Sequence, residues 1–98
     1  MDQEERIIEA VEKKIDDYKH MCGLGFMMRA DDPDSRDHIK RIGAHILMAK
    51  WGVGPTPGSF VKAVADNNLS EAFYRADSVN TDAVKFYVML IHNLGYIE

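Results

Sequence analysis

A chain of 98 residues with twelve Lys and Arg against sixteen Asp and Glu has a net charge of −4 and room for one hydrophobic core, which excludes multidomain readings. The acidic balance is the wrong sign for a protein whose affinity comes from neutralising many phosphates, and 46% hydrophobic with 29% charged content excludes a disordered tail or a fibrous repeat. A single cysteine, Cys22, excludes an internal disulfide or a multi-cysteine zinc site and makes a reducing cytosol the expected compartment.

The opening Met1-Asp2-Gln3-Glu4-Glu5 is acidic where an export signal needs positive charge, and no apolar run approaches the roughly 18 to 20 residues of a membrane span. From Glu4 to Cys22 the apolar residues Ile7, Ile8, Val11, Ile15, Tyr18 and Cys22 recur at spacings of three and four, which draws one narrow stripe along a helix. Such a seam suits packing against another helix, and a chain this small gains from self-association. The expectation is therefore a homodimer closed through Ile7, Val11, Ile15 and Tyr18. Met21 to Ala30 is richer in apolar residues, but Gly23 and Gly25 loosen it into a continuation or a hinge. Its soft side chains Leu24, Phe26, Met27 and Met28 are divided between core and a partner surface, because flexible methionines serve either role.

Asp31-Asp32-Pro33-Asp34-Ser35 stops that segment, and Asp34 or Ser35 is the expected cap of a second helix running to Trp51. The helix presents Ile39, Ile42, Ile46 and Ala49 on one side and Arg36, Lys40 and Arg41 on another. Three glycines and two prolines between Gly52 and Gly58 break the chain. Thr56, with Pro57 after it, is the expected start of a short third helix reaching Asp66. Asn67-Asn68 turns the chain, and Asn68 with Glu71 resembles a capping box for a fourth short helix to Asp77. Asn80 or Thr81 is the expected cap of a fifth, with Val84, Tyr87, Val88, Ile91 and Leu94 inward and Gly95 as its stop. The expected fold is all-α, one compact bundle of about five helices over residues 1–98, in which 1–51 supply a long N-terminal helix plus a second helix and 55–98 a three-helix module.

The second half carries Pro57-Gly58-Ser59-Phe60, Ala63-Val64, Asn67, Leu69, Ala72-Phe73, Ala76-Asp77 and Asn80. This text resembles a group of small uncharacterised bacteriophage and prophage proteins that share a C-terminal P-G-S-F-x-x-A-V-x-x-N-x-L-x-x-A-F-x-x-A-D module. Asn68 stands where that group commonly has Asp, and residues 1–50 carry no part of the pattern. The resemblance implies origin on a mobile element and a helical module, and transfers no reaction.

Candidate chemistry is thin. The glycine-rich stretch before the third helix can offer N–H groups to an anion through Gly54, Thr56, Gly58, Ser59 and Lys62, although Pro55 and Pro57 remove two donors and the phosphate-loop signature is missing. Asp16 with His20, and Asp34 with His38, are i,i+4 pairs that supply two ligands each, and two ligands make no metal site. Asp31, Asp32 and Asp34 lack the glycine and the final acid of a calcium loop. Cys22 and His20 lie two apart and face different ways on a helix, so no nucleophile pair forms. No catalytic residue, metal or cofactor is expected. The expected function is a non-enzymatic accessory protein of the host cytoplasm that masks a host or phage partner, with Trp51 and Tyr74 as further anchors. A nucleotide or phosphate binder using residues 52–59 is the alternative, followed by a DNA-binding regulator built on residues 60–77 or on Arg36, Lys40, Arg41 and Lys50.

Overall fold

The computed structural model describes residues 2–98 and contains, among them, helices and no strand. Six α-helices follow in order: α1 (Gln3–Tyr18), α2 (Leu24–Asp31), α3 (Pro33–Lys50), α4 (Ser59–Ala65), α5 (Leu69–Arg75) and α6 (Ser78–Asn93). A 3-10 turn, Lys19–Met21, extends α1, so the N-terminal helical stretch is the longest. α3 and α6, with 18 and 16 residues, are nevertheless long elements.

Helix starts follow local chemistry. Asp2 Oδ1 accepts the Glu5 N–H at 2.8 Å, Asn68 Oδ1 accepts that of Glu71 at 3.2 Å, and Asp77 Oδ1 accepts that of Asn80 at 2.7 Å, each satisfying a donor that the first helical turn leaves free. α3 is capped by Asp32, whose Oδ2 lies 2.9 Å from the Ser35 N–H, and not by Asp34 or Ser35. Pro33 restricts Asp32 to extended backbone, which is the cap conformation, and then fills the first helical position itself. Gly23, at φ 93°, has a positive φ that turns the chain from the 3-10 helix into α2, so Met21 to Ala30 is not one uninterrupted continuation of α1.

Two helix ends share one design. After α3, the Gly52 N–H donates to the Ala49 carbonyl and the Val53 N–H to the Met48 carbonyl, with Gly52 at φ 73°. After α4, Asn67 and Asn68 donate to Val64 and Ala63 in the same way, with Asn67 at φ 60°. Both are Schellman ends, in which a left-handed residue lets two orphan carbonyls find partners. Asn68 thus closes α4 with its backbone and opens α5 with its side chain.

The core is organised on α3, which packs against α1, α2, α4 and α6. Gly43 makes the closest crossing: a methyl group there would meet Val11 Cγ1 at 2.9 Å and Leu90 Cδ1 at 3.0 Å, so α1 and α6 both approach the α3 backbone. Phe26 stacks on Phe86 with ring centroids 4.9 Å apart, and Phe60 meets Tyr87 edge-on at 5.9 Å. The one buried side-chain pair among the described hydrogen bonds is Tyr87 Oη donating to Asn80 Oδ1 at 2.6 Å. Burial pushes the Tyr87 hydroxyl far above its ordinary ionisation range, which keeps it a neutral donor.

The expected dimer seam is occupied inside the chain. Ile7, Val11 and Ile15 are each 0% exposed, and Tyr18 is half-buried with its ring edge toward Phe86 at 6.3 Å. The stripe needs a helical mate, and α3 is that mate. No part of Ile7, Val11 or Ile15 remains for a second copy.

Candidate functional site

Residues 21–34 carry the most exposed apolar side chains of the N-terminal half. α2 faces inward with Phe26 and Ala30, both buried, while Leu24 is 77% and Met28 74% exposed. A spacing of four places these two on one face, one turn apart. Met21, in the preceding turn, is 49% exposed, and Met27 lies between the two environments. Of the four residues expected as a partner surface, the structure therefore presents Leu24 and Met28 outward, half-buries Met27 and places Phe26 in the core. Side chains at positions 24, 26, 27 and 28 cannot all share one helical face, and Phe26 takes the inward position, stacked on Phe86 of α6.

An open cleft of about 340 Å³ lies beside Met28 and is lined by Gly25, Arg29, Asp32, Ser35 and Asp82 as well. Arg29 Nε donates to Asp82 Oδ2 at 2.9 Å and joins α2 to α6. Gly25 permits that approach, since a methyl group there would lie 3.2 Å from Asp82 Oδ1. The Ser35 N–H and hydroxyl both bond the Asp32 carboxylate and hold it below the usual range, so it is charged at neutral pH. Asp31 and Asp34 flank it with no described ion pair.

The expected anion site does not assemble. Thr56 and Gly58 face a hollow of about 150 Å³ with His45, Met48 and Val61, whereas Ser59 and Lys62 face a different one beside Asp66 and Glu71. Lys62 Nζ is bonded to Asp66 at 2.7 Å, and Gly54, at φ 83°, gives its space to Met48, whose Cε lies 2.5 Å from where a Cβ would be. α4 begins at Ser59 with Gly58, not Thr56, in the cap position and no side-chain cap bond. Thr56 stays exposed and lines the hollow with Pro55 and Pro57, so its capping preference goes unused.

The basic helix face is also neutralised. Arg36 pairs with Asp16 at 3.0 Å, Lys40 with Glu12 at 3.2 Å and Arg41 with Asp37 at 3.0 Å. Of the four cations considered for DNA, Lys50 has no described ion pair. His38 Nε2 sits 3.2 Å from Asp77 Oδ2, away from the i,i+4 carboxylate Asp34, and His45 Nε2 lies 3.1 Å from Glu4 Oε1 on α1. Among the described residues, no three His, Cys, Asp or Glu side chains converge as metal ligands. Cys22 is half-buried with its Sγ 3.7 Å from Met89 Sδ, and burial raises its thiol above the ordinary range, which makes it a poor nucleophile.

The chain matches no family model, no curated protein and no solved structure. The residues of the motif between Pro57 and Asn80 take structural places. Phe60, Ala63, Val64 and Ala72 are buried, Asn67 and Asp77 end and begin helices, and Asn80 holds Tyr87. Phe73 is the exception, half exposed beside Tyr74 at 79% and Leu69 on α5. Tyr74 is thus an outward aromatic, while Trp51 is half-buried against Tyr96, 5.3 Å between ring centroids.

Sequence reasoning missed the cleft. Arg29 and Asp82 are 53 residues apart, and nothing in the local pattern pairs them. It also missed that the chain's last residues lie across α1, where Gln3 Nε2 donates to Tyr96 Oη at 3.0 Å and to the Ile97 carbonyl at 2.9 Å. No helix of the described residues is long and apolar enough to cross a membrane.

Proposed function

We propose that this chain is a non-enzymatic accessory protein of phage or prophage origin that acts in the host cytoplasm by binding, and so masking, a host or phage protein. The observation that carries the reading is the outward placement of Leu24 and Met28, 77% and 74% exposed. Burying both against a partner would contribute roughly 3 to 5 kcal/mol at about 1.5 to 3 kcal/mol per large apolar side chain, enough to make them anchors in a small interface. The phage-like text from Pro57 to Asn80 supports the origin, and the dispersal of the residues expected to hold an anion favours protein contact over nucleotide binding.

The test is affinity purification from phage-infected cells with the wild-type chain and the Leu24→Lys/Met28→Lys variant, read by mass spectrometry. Both side chains are exposed, so the variant should fold with an unchanged melting temperature. The expected result is a partner protein recovered with the wild type and lost with the variant. Recovery of the same proteins by both chains would overturn the assignment of this surface.

A further inference from the structure

The exposed face of α2 does not end in apolar residues. Leu24, Met28 and Asp31 follow one another at spacings of four and three, which places all three on one helical face over about 10 Å of axis. Asp31 is the last residue of α2, where the helix dipole disfavours a negative charge, and it has no described ion pair. Asp32 is explained by its cap and Asp34 by the first turn of α3; Asp31 is explained by neither. The segment 31–34 holds three acids and no base, whereas the α3 cations Arg36, Lys40 and Arg41 are tied to Asp16, Glu12 and Asp37. Arg29, in the adjacent cleft, is engaged by Asp82. The surface therefore combines a soft apolar ridge, an open cleft beside it and, at one end, the two acids Asp31 and Asp34 that have no described ion pair.

We infer that this face docks a basic amphipathic helix of the partner protein, an inference that rests on the protein-binding reading above. Apolar side chains of the incoming helix would cover Met21, Leu24 and Met28, and Lys or Arg one to two turns further along would meet Asp31 and Asp34. Unbranched methionine accommodates varied apolar knobs, and helix-in-groove recognition with flanking opposite charge is the mode this chemistry serves. Charge complementarity selects the occupant: an acidic helix is repelled by residues 31–34, and the α2 face of a second copy brings no cation to meet them besides Arg29, which is paired with Asp82.

The probe is a synthetic 16-residue peptide of Leu and Lys in amphipathic helical order, labelled for fluorescence anisotropy, with a Leu and Glu peptide of the same order as its counterpart. The expected result is saturable binding of the basic peptide with Kd on the order of 1 to 100 μM at low salt, weakened about tenfold or more at 0.5 M salt. Asp31→Asn/Asp34→Asn should weaken it several-fold, and Asp31→Asn alone should leave the melting temperature unchanged or raised, since it removes a charge from the wrong end of α2. Leu24→Lys/Met28→Lys should weaken binding about tenfold or more. Equal binding of the acidic peptide overturns the inference, as does an equal loss in the control Glu5→Gln/Glu9→Gln on α1. A dimer in light scattering that Leu24→Lys/Met28→Lys dissociates also overturns it and makes a second copy the occupant. Capture of a partner from infected cells that is lost with Leu24→Lys/Met28→Lys but kept with Asp31→Asn/Asp34→Asn would sink this inference alone and leave the function standing.

Discussion

Asn80 and Tyr87 lie two turns apart on α6 and are both buried, and their 2.6 Å hydrogen bond is the point where the core carries polarity. Tyr87→Phe removes the donor and leaves the Asn80 amide oxygen buried without it, which should cost about 1 to 3 kcal/mol in denaturant unfolding. Asn80→Ala made in that background should cost less than Asn80→Ala alone, because the pair has already been broken. Additive losses would show that the bond contributes nothing to stability. At the surface, Arg36 holds the Asp16 carboxyl below the usual range, Arg41 does the same for Asp37, and the Ser35 bonds do so for Asp32. A carboxylate whose folded pKa is depressed stabilises the fold above its unfolded value, near 4, and loses that contribution as the pH falls through the folded value. The melting temperature should thus be level from pH 7 to about 5 and fall below about 4. Asp16→Asn should melt about 1 to 3 °C lower at pH 7, a small effect because the pair is exposed and screened. That gap should close in acid, and a gap that widens there would reverse the sign of the argument.

At the scale of the element, α1 shows how far periodicity reaches. The stripe Ile7, Val11, Ile15 marks a buried face correctly and leaves its mate unspecified, since an intramolecular and an intermolecular helix impose the same spacing. The mate is α3, brought close by Gly43. Ile15→Ala should therefore destabilise the protein by about 2 to 5 kcal/mol, the cost of a core cavity, and the drop in melting temperature should be the same across a hundredfold range of protein concentration. A drop that grows on dilution would show that a second copy covers the seam. Helix caps were legible where one candidate stood in place, as with Asn68. They were misplaced at α6, where Asn80 is drawn inward by Tyr87 and the task passes to Asp77. They were misplaced again at α4, where Gly58 takes the cap position and Thr56 lines a hollow two residues earlier.

The whole molecule exposes 5575 Å², against roughly 5,600 Å² expected of a compact folded monomer of this mass. The bundle thus closes on its own core, and what remains for other molecules is local: the α2 face with its acidic end, and the smaller aromatic patch on α5. By itself the amino-acid sequence determined the helical class, the breaks at Gly23, Pro33, Gly52–Gly58 and Asn67–Asn68, and which residues of α1 turn inward, because backbone propensity and side-chain spacing are local properties. Only the tertiary structure decided which apolar residues are covered and by what. Phe26 went inside and Leu24 stayed out, Lys62 was drawn to Asp66, and Arg29 was joined to Asp82, because burial and charge pairing depend on contacts between residues far apart in the chain, which spacing along one helix does not encode.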